Sequence, residues 1–172
     1  MFRVELETMY NLKYNKILFC GPSGSGKTTW AKTLKKVLGP DIKSVILDGD
    51  ELRDTINNDL DFSFESVKEN ARRVTELSNW LTKYQGVNLV ICSLIMQPEE
   101  CRALFKENGF YVVFVENNNV EKEDLKGLYS SNKAKSWKPK PNDETVDIIV
   151  DNNIKADTLA SVCEFLSTNL KK

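Results

Sequence analysis

The stretch that most constrains this chain is Gly21-Pro22-Ser23-Gly24-Ser25-Gly26-Lys27-Thr28. It follows the apolar run Ile17-Leu18-Phe19-Cys20 and leads into a helical pattern. G-x-x-x-x-G-K-[ST] between a strand and a helix forms a loop that cradles phosphates. Its glycines let the backbone curl until several N–H groups point inward, and the helix adds its positive N-terminal end. Gly21, Ser23, Gly24, Ser25, Gly26, Lys27, Thr28 and Thr29 are therefore the expected triphosphate-binding set. Lys27 is placed to reach the β- and γ-phosphates, and the Thr28 hydroxyl to ligate Mg²⁺. ATP and Mg²⁺ are the expected cofactors.

The pattern around the loop predicts an α/β fold. Apolar runs at 17–20, 45–47, 88–92, 110–115 and 148–150 alternate with helical stretches at 28–38, 51–57, 65–84, 98–107 and 158–170. Continuous apolar strands alternating with helices imply a five-stranded parallel sheet covered on both faces. In such sheets ligands sit beyond the carboxyl ends of the strands. The longest helix carries Val67, Ala71, Val74, Leu77, Leu81 and Tyr84 at three- and four-residue steps, an apolar stripe. Ser63, three residues before Ser66, is its expected start region. Residues 1–14 read as a peripheral extension. Residues 121–143 are polar, lysine-rich and broken by Pro139 and Pro141, which suits a lid. A single domain over 1–172 is expected.

Composition narrows the chemistry. The chain has no histidine, which excludes Ser-His-Asp and Cys-His mechanisms and any histidine metal site. A general base at neutral pH is then a carboxylate. A net charge of −1 argues against a nucleic-acid polymer as partner. No apolar run approaches a membrane span, and no basic-then-apolar leader opens the chain, so a cytoplasmic protein is expected. The four cysteines include no C-x-x-C pair and read as buried thiols.

The leading carboxylates are Asp48 and Asp50, flanking Gly49 after the second strand. One can accept the proton of an attacking hydroxyl while the other supports the metal, and the sequence leaves open which does which. Arg53 follows three residues on and suits bidentate capture of a phosphate-like group. Arg72 and Arg73 either flank the site or face water. The third strand ends Ile91-Cys92-Ser93 without an aspartate, and there is no N-K-x-D. Both absences point from switch or motor proteins toward a small-molecule kinase.

Four segments beyond the loop carry a family resemblance. Asp48-Gly49-Asp50-Glu51-Leu52-Arg53, then Ile56 to Leu60 with Phe62-Ser63, then Glu69-Asn70-Ala71-Arg72-Arg73, then Asp124-Leu125-Lys126-Gly127-Leu128-Tyr129, resemble the motifs of adenylylsulfate (APS) kinases. The resemblance implies ATP-dependent phosphorylation of a ribose 3′-hydroxyl on a nucleotide with a modified 5′-phosphate. It implies Asp50 as base or metal support, and Arg53 and Asn70 at the acceptor's phosphate and ribose end. It implies Phe62 against the base, with Ile95, Lys126 and Leu128 lining the acceptor pocket and lid.

Departures from the family pattern fall on the acceptor side. Ser66-Val67 replaces an Asp-Arg pair, Ile95-Met96-Gln97-Pro98 replaces I-S-P, and Glu123 replaces an arginine. Lys135 to Lys140, with Trp137, occupies the place of a G-I-D-x-P-Y-E stretch. Trp137 either covers the acceptor base or packs on a neighbour. A small-molecule nucleotide acceptor is expected, and a resemblance to APS-kinase relatives of bacterial capsule biosynthesis implies cytidine diphosphoramidate as the main reading. APS is the alternative, and a nucleotide-binding regulatory module without transfer the third reading. A homodimer is compatible with all three.

Overall fold

The computed structural model describes residues 12–117 and 138–166. Within them, β1 (Lys16–Cys20) leads through the glycine loop to α1 (Lys27–Leu38). The chain continues through β2 (Ser44–Asp48), α2 (Gly49–Arg53), α3 (Phe64–Tyr84), β3 (Leu89–Leu94), α4 (Glu99–Glu107), β4 (Tyr111–Glu116), β5 (Ile148–Asp151) and α5 (Ala156–Leu166). The strands form one five-stranded sheet in the order β2-β3-β1-β4-β5, parallel throughout.

Burial follows from that order. Every residue of β1 and β3 is buried, as central strands covered on both faces require. The edge strands β2 and β5 are only partly buried. Alternate side chains feed two cores. Leu18, Cys20, Val90, Cys92, Val112 and Phe114 pack with Ala71, Val74, Cys101 and Phe105 of α3 and α4. Ile17, Phe19, Leu89, Ile91, Val113 and Val115 pack with Trp30, Ala31, Leu34, Val162 and Leu166 of α1 and α5. Burying a large aliphatic or aromatic side chain stabilises by about 1.5–3 kcal/mol, so these layers hold the sheet that presents the loops.

The elements lie within a few residues of their predicted bounds, with informative differences. The short helix after β2 spans only Gly49–Arg53, and hydrogen-bonded turns carry the chain from Asp54 to Leu60. Tyr84 is 64% exposed, so the apolar stripe of α3 ends at Leu81. Ser63 caps α3, its hydroxyl accepting from Ser66 N at 3.3 Å. Asp143, placed in the lid by composition, is instead a buried anchor: its carboxylate pairs with Arg102 at 2.6 Å. Lys126, Leu128 and Trp137, with most of the expected lid and extension, lie outside the described residues. Among the described residues, no helix is long and apolar enough to cross a membrane.

Candidate active site

The glycine loop is shaped from behind. Gly21 has φ +151°, and a Cβ there would meet the Val115 carbonyl oxygen at 2.5 Å and Ser25 Oγ at 2.9 Å. No other residue fits between β1 and β4 at this point. Gly24 and Gly26 also have positive φ, and Gly26 sits at the start of α1. Ser25 is wholly buried and its N–H donates to the Pro22 carbonyl at 3.3 Å. Gly21 and Ser25 thus build the loop from its inner side. Ser23, Gly24, Gly26, Lys27, Thr28 and Thr29 line the cleft. Lys27 Nζ donates to the Pro22 carbonyl at 2.6 Å.

The cleft, about 360 Å³, continues from this loop across the ends of β2 and β3. Asp48 is its central group. It is 8% exposed and belongs to the last position of β2, level with Ser93 of β3. One carboxylate oxygen accepts from Thr28 Oγ1 at 2.7 Å, and the other accepts from Asp50 N at 3.0 Å, capping α2. Thr28 Oγ1 lies also 3.1 Å from Ser93 Oγ. Thr28, Asp48 and Ser93 therefore gather three oxygens beside the phosphate loop. Among the described residues, no cluster of three His, Cys, Asp or Glu could hold a metal alone. A magnesium ion fits this corner because it keeps most of its octahedral shell as water and phosphate oxygens, needing few protein ligands.

Ser93 was not a candidate from the sequence. Its signal was the missing aspartate: the carboxylate that P-loop proteins often carry on this strand stands one strand over, at Asp48. Gly49 is also not the turn glycine it resembles, since its φ is not positive. A Cβ there would lie 3.2 Å from Leu94 Cδ2 and 3.3 Å from the Ser93 carbonyl oxygen, so glycine lets α2 start close against β3. As a result Asp50 rides on the first turn of α2, exposed at the rim, and lines the same cleft as the loop.

The far wall is made by α2, the turn after it, α3 and the end of β3. Arg53 lines it, its Nη1 donating to the carbonyls of Leu60 at 3.1 Å and Asp61 at 2.8 Å. The guanidinium lies 4.0 Å from the centroid of the Phe62 ring. Burial lowers the Arg53 pKa, and the charges of Asp50 and Asp61 oppose that shift. Phe62 is 50% exposed and lines the cleft with the Arg53 guanidinium against its ring, so it is not a core residue. Asn70 is buried at the cleft, its side-chain oxygen accepting from Asn57 Nδ2 at 2.7 Å. Val67 and Ile95 complete the wall.

Arg72 and Arg73 do not line this cleft. Arg72 bridges Glu69 and Glu76 on the outer face of α3. Arg73 takes Glu69 and both carboxylate oxygens of Asp59, at 2.7 and 2.8 Å, and so ties the 54–60 turns to α3. These two arginines hold Glu69 down at about 2. Cys20, Cys92 and Cys101 are buried, and burial pushes the Cys20 and Cys92 thiols up to about 12.

Comparison with known proteins fits this arrangement. A family model described as adenylylsulphate kinase matches residues 13–139. A probable adenylyl-sulfate kinase of Halalkalibacterium halodurans is 38% identical over 125 residues, covering 68% of this chain and 59% of that protein's length. The adenylyl-sulfate kinase of Prochlorococcus marinus is 32% identical over 154 residues, covering 81% of this chain and 75% of its own. The APS kinase of Mycobacterium tuberculosis, solved with AMPPNP and APS, superposes with a TM-score of 0.70 at 29% identity, over 89% of this chain and 97% of that one. With its glycine loop, paired aspartates and parallel sheet, the chain belongs to the adenylylsulphate kinase family of P-loop kinases.

Proposed function

We propose that this chain is an ATP-dependent kinase that phosphorylates the ribose 3′-hydroxyl of a nucleotide with a modified 5′-phosphate. The observation that carries the proposal is the 2.7 Å bond from Thr28 to Asp48, which joins the phosphate loop to the acidic pair in one cleft.

The reaction follows from the placement of charge. The glycine loop would hold the triphosphate by its backbone N–H groups, and Lys27 would reach the γ-phosphoryl. Thr28 and Asp48 would hold magnesium, which when bound neutralises developing charge on the phosphate oxygens. Asp50, exposed at the rim of the cleft that Arg53 and Phe62 also line, takes the proton of the acceptor hydroxyl. The O3′–P bond forms as the bond from Pγ to the β,γ-bridging oxygen breaks, and ADP leaves. Most of the catalysis is orientation and fixed electrostatics. Phe62 offers its ring to the acceptor base, with Arg53 and Asn70 beside it.

APS is the acceptor that the relatives favour, since the matched proteins are named adenylyl-sulfate kinases. A second reading, a nucleotide whose 5′ group is not the phosphosulfate of APS, such as cytidine diphosphoramidate, draws on one feature of the wall. Val67 lines the cleft where the family pattern has an arginine, which leaves Arg53 as the acceptor-side cation among the described lining residues. Either nucleotide leaves the chemistry unchanged. ADP release coupled to NADH oxidation, with ATP·Mg²⁺ and each acceptor in turn, tests the proposal. Acceptor-dependent ADP formation supports it, and the preferred acceptor picks the reading. ATP binding without acceptor-dependent turnover across both nucleotides would leave a regulatory module.

A further inference from the structure

Arg102 is an arginine on the buried face of α4, between Cys101 and Phe105, and only 3% exposed. An ionised guanidinium in that position is costly unless every donor is met. Its Nε donates to Thr145 Oγ1 at 3.0 Å, and its Nη2 to Asp143 Oδ2 at 2.6 Å. Its Nη1 donates to the Met96 carbonyl at 3.1 Å and to the Gln97 carbonyl. The two charged side chains are 4% and 2% exposed, so water contributes little to either.

These partners belong to two separate stretches of chain. Met96 and Gln97 directly follow Ile95, which lines the acceptor end of the cleft. Asp143 and Thr145 lie on the stretch that brings the chain into β5. That stretch is itself fixed: Asp143 Oδ1 accepts from Thr145 N at 2.9 Å and from Thr145 Oγ1, and Asp147 Oδ2 accepts from Val112 N at 2.7 Å. One guanidinium thus fastens the segment that follows Ile95 to a turn anchored on β4.

We propose that Arg102, with Asp143, is a positioning residue for the acceptor: it sets the 95–97 segment, and through it the Ile95 wall, without touching the reacting atoms. This rests on the kinase reading above. Ile95 lines the acceptor end while Arg102 and Asp143 do not line the cleft, so the effect is expected on the acceptor and not on ATP.

The test is the paired variant Arg102→Met/Asp143→Leu, which removes both charges together and leaves no unpaired buried ion. Its melting temperature is expected to stay near that of the native chain, and above that of Arg102→Met alone. The KM for the acceptor is expected to rise about tenfold or more while the KM for ATP stays within about twofold. Hydrogen exchange is expected to accelerate at residues 94–98 and 143–147 and not at residues 17–30. Unchanged exchange at 94–98, or an acceptor KM that recovers together with the melting temperature, overturns the proposal. If the native chain turns over no acceptor, the kinase reading fails, and the exchange measurement still decides the coupling. Should the paired variant not fold, Thr145→Val, which removes one arm of the network, is read in the same assays.

Discussion

Replacing Asp48 by asparagine separates the two tasks of its carboxylate. One oxygen caps α2 through Asp50 N, and the other accepts from Thr28 beside the phosphate loop. Asparagine caps a helix about as well as aspartate, so Asp48→Asn is expected to change stability by less than about 1 kcal/mol. Asp48→Ala loses the cap as well, at roughly 1 kcal/mol within a range of about 0.5–2. The Thr28 hydroxyl keeps Ser93 Oγ at 3.1 Å in either variant, so no full penalty for an orphaned group is added. Turnover should behave differently. Losing one fixed electrostatic contributor to a transition state costs about 2.7–4 kcal/mol, or ~10²–10³ in rate. Both variants should therefore lose activity alike, while only the alanine variant loses stability. Urea unfolding reads the first quantity, and ADP release over a series of magnesium concentrations reads the second. The magnesium requirement should rise in Asp48→Asn. An asparagine variant with near-native turnover, or one as unstable as the alanine variant, refutes the division of roles.

Other perturbations probe the remaining parts of the site. Lys27→Ala and Asp50→Asn should each abolish turnover with the fold retained by circular dichroism; an Asp50→Asn variant working at near-normal rate would remove that residue as base. Phe62→Ala should raise the acceptor KM by roughly 5- to 150-fold, the equivalent of about 1–3 kcal/mol for one base stacked on an aromatic ring, and leave the ATP KM alone. If steady-state kinetics shows both constants moving together, the ring is not an acceptor platform. At pH 8 a thiol reagent should label Cys163 well before the other cysteines, because Cys20 and Cys92 are buried with thiols pushed up to about 12 and Cys101 is 1% exposed. All four should react in denaturant, as counted by mass spectrometry. Rapid native labelling of Cys92 would contradict the packing of β3.

Much of this was legible in the sequence because it rests on local chemistry. The loop from Gly21 to Thr28 announces itself by residue type and spacing. The central strands announce themselves as unbroken apolar runs, since both their faces are covered. The sequence leaves open which of Asp48 and Asp50 is base and which supports the metal, because it does not show that Asp48 is buried against Thr28 while Asp50 is exposed at the rim. Ser93 was invisible for a related reason: its value comes from standing level with Asp48 across two strands. Arg72 and Arg73 could not be assigned, since neighbouring positions on a helix turn about 100° apart and only the packed structure says which face water takes. Asp143 was misread as lid because its surroundings are polar. Its burial depends on Arg102, 41 residues away in sequence.

The phosphoryl group is expected on the ribose 3′-oxygen of the acceptor. Phosphorus NMR of the product from ATP and the preferred acceptor measures that directly. Transfer to O3′ gives one new phosphomonoester signal coupled to the ribose H3′, with one ADP formed per product. Inorganic phosphate as the sole new species, or a signal coupled to H5′, would contradict it.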